Sequence, residues 1–146
     1  MRRMQAAIEI DRPADDIFAY ISNFENNPLW QRGMKEARFI TDPPLAEGSQ
    51  YEQVASHLGQ PVMTRFEVTE FQPGRSITIE SIESTFPIKV TRSVEPLDDG
   101  RCRVSAEIQG EPGRRIRLLG PLVRRFAQRA INADYQRLKE LLEESS

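Results

Sequence analysis

From residue 35 to residue 109 the chain breaks its direction at short, regular intervals. Ala37–Thr41 stops at Asp42-Pro43-Pro44, Ser49–His57 at Leu58-Gly59-Gln60-Pro61, and Val62–Phe71 at Gln72-Pro73-Gly74. Ser76–Glu83 stops near Ser84-Thr85, Phe86–Pro96 at Asp98-Asp99-Gly100, and Arg101–Gln109 at Gly110-Glu111-Pro112-Gly113. These breaks are rich in residues that supply a positive φ, a fixed φ or a local side-chain hydrogen bond, which is the chemistry of turns. A parallel pair needs a long crossover, so breaks this short make successive strands antiparallel hairpins. Upstream, Met4, Ala6, Ile8 and Ile10 alternate with Gln5, Ala7 and Glu9, which adds a seventh strand. In the last strand Cys102, Val104, Ala106 and Ile108 share one face and Arg101, Arg103, Ser105 and Glu107 the other. The sheet is therefore apolar on one side and wet on the other.

After Gly113 the period lengthens. Leu119, Leu122, Val123, Phe126, Ala130, Ile131, Leu138, Leu141 and Leu142 recur at steps of three and four. This predicts an amphipathic helix from about Pro121 to Glu143, with a turn or kink at Gly120-Pro121. At ~1.5 Å per residue it is about 34 Å long. Two short helices precede the second strand. In one, Pro13 takes the first helical position and Asp15 and Asp16 the first turn, with Ile17, Phe18 and Ile21 on one face. The other covers Asn23–Trp30 and is disturbed by Pro28. The order is an α+β fold: a seven-stranded antiparallel sheet curled around one long C-terminal helix. The 146 residues make a single domain over 1–146. A twisted sheet wrapped on one helix encloses more volume than the helix fills, so a cavity is expected between them.

The chain is similar here to the START-like, or helix-grip, superfamily (SRPBCC), with its polyketide cyclase/dehydrase and lipid-transport group. The residues that carry the resemblance are Pro13-Ala14-Asp15-Asp16-Ile17-Phe18-Ala19-Tyr20-Ile21, then Phe24-Glu25-Asn26-Asn27-Pro28-Leu29-Trp30, then Val68-Thr69-Glu70-Phe71-Gln72-Pro73-Gly74-Arg75. The resemblance implies a hydrophobic pocket under the long helix that takes a small apolar or amphipathic molecule, lipid- or polyketide-like. It carries over no catalytic residue.

Composition removes several alternatives. One cysteine forms no internal disulfide, and Cys102 with His57 is too small a set for structural zinc. No Gly-x-Ser-x-Gly, phosphate loop or Cys-x-x-Cys is present, and no cofactor is expected. A net charge of −2 argues against nucleic acid as partner. Met1-Arg2-Arg3 has the charge of a signal peptide start, but Glu9 and Asp11 interrupt the apolar stretch, so the cytoplasm is the expected location. Arginine outnumbers lysine 17 to 3, which reads as the coding bias of a GC-rich, bacterial genome.

Eight residues are candidates for lining the pocket: Trp30, Tyr51, Met63, Arg65, Phe86, Ile88, Arg92 and Phe126. Trp30 is either core or an aromatic wall at the cavity mouth. Strand 62–71 offers two faces. If Val62, Thr64, Phe66 and Val68 face the helix, Arg65 and Glu67 are solvated; if Met63, Arg65, Glu67 and Thr69 do, the pocket gains a cation and a carboxylate. Phe86, Ile88 and Val90 share a face that Arg92 continues, either as a strand end in solvent or as a polar anchor. Tyr51 packs or offers a hydroxyl, and Phe126 belongs to the helix stripe. His57 is an edge residue or a general acid/base at the rim. Residues 114–129 hold Arg114, Arg115, Arg117, Arg124, Arg125 and Arg129 and no acid. They pair with rim acids such as Glu80, Glu83 or Glu95, or they meet an anionic membrane or partner. Three functions follow: binding of a small hydrophobic ligand, cyclase/dehydrase-like catalysis, and peripheral docking through the arginine segment.

Overall fold

The computed structural model describes residues 2–57, 59–82, 87–110 and 120–144, without the side chains of Arg2 and His57. Strand β1 (Arg2–Ile10) leads into helix α1 (Ala14–Ser22), a 3-10 turn at Phe24–Asn26 and the short helix α2 (Asn27–Trp30). Strands β2 (Met34–Phe39), β3 (Gln50–His57), β4 (Gln60–Gln72), β5 (Ser76–Ile82), β6 (Ile88–Asp98) and β7 (Arg101–Gly110) follow, and helix α3 (Gly120–Glu144) is the last described element. Pro13 is the N-cap of α1, one position before the expected one, and its carbonyl accepts the first helical hydrogen bond from Ile17.

The strands form one antiparallel sheet in the order β1-β7-β6-β5-β4-β3-β2. The β4–β5 turn shows why the breaks fall where they do. Arg75 N–H closes on Gln72 C=O at 2.9 Å, with Pro73 second and Gly74 third at φ +79°. A positive φ at the third position is the demand that glycine meets in a type II turn.

Opposite residues share a face, so the register fixes the inner side. Ile10 opposes Cys102, Val94 opposes Val104, Ile79 opposes Val68, and Phe66 opposes Tyr51. All eight are buried, together with Ile17, Phe18, Ile21, Phe24 and Trp30 from the helical segment and Tyr135, Leu138 and Leu142 from α3. The outer face carries ion pairs, such as Arg103 with Glu9 and Glu95 and Arg38 with Glu52.

An exposed sheet edge invites pairing with other chains, and here both edges are occupied. On β1 the carbonyls of Arg3, Gln5 and Glu9 accept from Arg124 Nη2 (3.1 Å), Gln128 Nε2 (2.8 Å) and Lys139 Nζ (2.7 Å) of α3. Just beyond, Asp11 N–H donates to Glu143 Oε2 at 2.8 Å, and Lys139 bridges to the same carboxylate. At the opposite edge Phe39 N–H donates to Glu25 Oε2 of the 3-10 turn at 3.1 Å.

This docking corrects the expected single stripe on the long helix. Tyr135, Leu138 and Leu142 are buried, but Leu122 is 57% and Phe126 63% exposed. At 100° per residue they lie roughly 150–170° around the helix from the buried line. The three- and four-residue steps join two different stripes.

Glu143 ties the end of α3 to the end of β1. Its carboxyl is held below the ordinary glutamate value by the hydrogen bond from Lys139 and then by the Asp11 N–H. A folded-state value below the unfolded one stabilises above the unfolded value, and this stabilisation is lost as pH falls through the folded one. Glu143→Gln is expected to cost roughly 0.5–1.5 kcal/mol at neutral pH and to flatten part of the acid loss of stability. Urea denaturation at neutral and acidic pH measures both, and an unchanged acid slope refutes the tether.

Candidate functional site

Strand β6 places Ile88, Val90, Arg92 and Val94 on the inner face, because Ile79 opposes Val90 and Ile77 opposes Arg92. Burial along this line is graded. Ile88 and Val90 are half-buried, as are Met4 and Ile108 beside them, whereas Arg92 is 5% and Val94 2% exposed. The half-covered end lies toward the first turns of α3, where Arg124 meets Arg3. The inner face of β6 is thus a lane of half-buried apolar residues that ends at a buried cation.

Arg92 is held by the helical segment between β1 and β2. Its Nη1 donates to Ile21 O (3.1 Å) and Asn27 Oδ1 (3.2 Å), both uncharged acceptors. Its Cζ lies 4.9 Å from the centre of the Trp30 ring and 5.6 Å from that of Phe24. Around it the rings interlock: Phe24 stacks on Tyr51 (4.3 Å), Tyr51 on Phe66 (5.3 Å), and Tyr135 meets Trp30 edge-on (5.0 Å). Asn27 also donates to Gln53 Oε1 at 3.4 Å, which links α2 to β3.

The electrostatics are uneven. Among the described residues no carboxylate pairs with Arg92. Its Nε and the Trp30 Nε1 are buried with no hydrogen-bond partner. Burial pushes the Tyr51 and Tyr135 phenols up, with the Arg92 charge pulling against it, so both stay protonated donors at neutral pH. Cys102 is buried and its thiol is also pushed up by burial, which suits a core residue rather than a nucleophile. Among the described residues no group of three or more His, Cys, Asp or Glu gathers to hold a metal, and no helix is long and apolar enough to cross a membrane.

Among the described residues, recesses open on the surface at two places. One of about 340 Å³ lies on the outer face of β2–β4, lined by Pro28, Ala37, Val54 and Met63 with Glu36, Arg38 and Glu52. The other, about 400 Å³, lies at the junction of α2 and α3, lined by residues 28–32 and Arg137. Trp30 belongs to the wall of the second recess and also packs on Arg92.

Known proteins share this architecture. The profile of the family "Polyketide cyclase / dehydrase and lipid transport" matches residues 1–143. The chain belongs to this family. No curated protein sequence matches it. Among solved structures, the protein TTHA0849 from Thermus thermophilus superposes with a TM-score of 0.82 at 19% identity, covering 99% of this chain and 100% of that one. The START superfamily protein from Mycobacterium smegmatis gives 0.81 at 18% identity, covering 99% of each. The di-domain ARO/CYC StfQ from the steffimycin biosynthetic pathway gives 0.75 at 14% identity, covering 98% of this chain and 51% of that one. Identities this low establish the fold, and the helix-grip expectation holds.

Within this family member the eight candidate residues separate. Trp30, Tyr51 and Arg92 meet in one buried cluster, and Ile88 stands at the open end of the lane that leads to it. Met63 and Arg65 are corrected to the outer face. Phe66 and Val68 are buried, so strand alternation turns Met63 (61% exposed) and Arg65 outward, where Arg65 pairs with Glu52. Glu67 shares that outer face, opposite Glu80. Phe126 points away from the core line of α3. Phe86 and the His57 side chain lie outside the described residues, as do Glu83 and Arg114, Arg115 and Arg117. Sequence reasoning missed Phe24, Asn27 and Tyr135. Tyr135 had a signal, since it stands three and seven residues before Leu138 and Leu142.

All three tyrosines, Tyr20 included, have phenols pushed above the ordinary value of 10 by burial. A raised folded-state value keeps its stabilisation below the unfolded value and loses it as pH rises through the folded one. Phenolate absorbance is expected to stay low at pH 10 and to appear with alkaline unfolding. Three tyrosines titrating freely before the circular dichroism changes would contradict the buried cluster.

Proposed function

We propose that this protein binds a small amphipathic molecule between the sheet and α3, its apolar part on the Ile88–Val90 lane and its acceptor group at Arg92. The observation that carries this reading is the half-covered apolar lane ending at a buried guanidinium without a carboxylate. Taking a charge out of water costs several kcal/mol in effect. Charge-assisted hydrogen bonds to Ile21 O and Asn27 Oδ1, a hydrogen bond with the Tyr135 phenol and two ring contacts offset much of that. They leave Nε unused, and the neighbouring indole N–H is unused as well. A carboxylate, ketone or enolate oxygen from a ligand supplies the acceptor these donors lack. Polyketide-like and fatty-acid-like molecules both carry such an oxygen on an apolar body, which is consistent with the family. Val123, Ala127 and Ile131, half-buried on α3, form the roof.

A second reading, cyclisation or dehydration of a polyketide-like ligand, draws on the protonated phenols. Donors beside a cation can polarise a carbonyl and stabilise an enolate. A catalytic role for Arg65 and Glu67 is set aside, since both lie on the outer face. Binding with no turnover of a polyketide-like ketone would leave the carrier reading alone.

The test compares oleate with oleyl alcohol and an aromatic polyketide ketone with its deoxygenated analogue, by thermal shift and native mass spectrometry. The oxygenated acceptors are expected to bind more tightly. Arg92→Met should lose this preference, by roughly 10–150-fold for one charge-assisted hydrogen bond of about 1.5–3 kcal/mol. It is expected to remain folded, because removing a buried charge offsets the orphaning of Ile21 O and Asn27 Oδ1. Equal binding by wild type and Arg92→Met, or no stabilising compound at all, defeats the proposal.

A further inference from the structure

The first three turns of α3 present a surface that neither the core nor the ligand site uses. Three arginines stand on these turns, and the docking of the helix divides them. Arg124 is spent on the Arg3 carbonyl of β1. Arg125 and Arg129 are exposed and make no ion pair among the described residues. Among the described residues the expected pairing with rim acids does not reach them: Glu95 pairs instead with Arg103 on the outer face of the sheet, and Glu83 lies outside the described residues. Leu122 and Phe126, one helical turn apart, are 57% and 63% exposed. At 100° per residue Arg129 lies beside Leu122 and Arg125 beyond it, all four within roughly 100° of the helix circumference. Between Pro112 and Ala133 the sequence holds no acid at all, although the whole chain is net negative.

We infer that this face docks on an anionic lipid surface, with Leu122 and Phe126 entering the headgroup boundary and Arg125 and Arg129 on the lipid phosphates. An interfacial helix needs this combination: a few large apolar side chains to insert and cations beside them with no acid between. A stable protein interface needs far more, on the order of 1,200 Å² or above, and two apolar side chains do not supply it. The rest of the chain is net negative, so it is repelled by the same surface. That repulsion orients the molecule with this face down.

The experiment is co-sedimentation of the full chain with phosphatidylcholine vesicles, with and without phosphatidylglycerol, at low and high salt. Binding is expected only with phosphatidylglycerol and is expected to weaken with salt. Arg125→Gln with Arg129→Gln should weaken it roughly 25-fold, at about five-fold per arginine. Phe126→Ser should weaken it by about an order of magnitude or more. All three positions are exposed, so the melting temperature reports any folding defect, and the two variants check each other. No binding to phosphatidylglycerol vesicles overturns the inference. So does binding that ignores both variants. Analytical ultracentrifugation provides the remaining arm: a dimer that Phe126→Ser dissociates would mean that this face covers a second copy, and the inference fails.

Discussion

The free edge of β1 is where the architecture is decided. Backbone carbonyls at a sheet edge need donors, and α3 supplies them from Arg124, Gln128 and Lys139 while Glu143 accepts from Asp11. Those contacts set both the direction of the helix and its rotation. With that rotation fixed, Tyr135 reaches Trp30, Leu138 and Leu142 enter the core, and Phe126 is turned to solvent. Ile10, Cys102 and Val104 are fully buried, whereas the Ile88–Ile108 end is half-covered.

The buried guanidinium is the second constraint. Arg92 sits where β6 passes under the helical segment, and it joins α1, through Ile21 O, to α2, through Asn27. One reading makes it purely architectural, a cation that staples these elements to the sheet. The arithmetic of its donors argues for more. A guanidinium carries five N–H groups, and an architectural arginine in a dry core gains most when all of them are satisfied. Here the Nε is unpaired, and so is the indole N–H of the ring it rests on. Buried donors without acceptors are rare and costly. Two at one point, at the end of an apolar lane, are the feature on which the binding proposal rests.

The strand count, the hairpin order and the helix limits were legible because turn residues and period changes are local signals. The inner face of β4 was not. Met63 and Val62 are both apolar, so the hydrophobic pattern there fits either side. Only Phe66, stacked on Tyr51, decides it, and that contact depends on strand pairing. The register shift between Val68 and Glu70 hides a second step. It hands the inner face from Val68 to Phe71, which stacks on Phe18, and turns Glu70 outward. A count of two cannot see an inserted residue. Arg92 was legible as a charge continuing the Ile88–Val90 face. Its partners, Phe24 and Asn27, were not, because they come from a turn and a four-residue helix with no periodicity to read.

The same geometry gives α3 two unlike faces along its first turns. Val123, Ala127 and Ile131 are half-buried, while Leu122, Phe126 and Arg129 are exposed. The same turns therefore carry both half-buried apolar residues and cations that make no ion pair among the described residues. Arg124 and Gln128 hold those turns to the β1 edge, and Ile131 packs against the core, so the rotation set at the edge decides which side chains of the helix face the sheet and which face solvent.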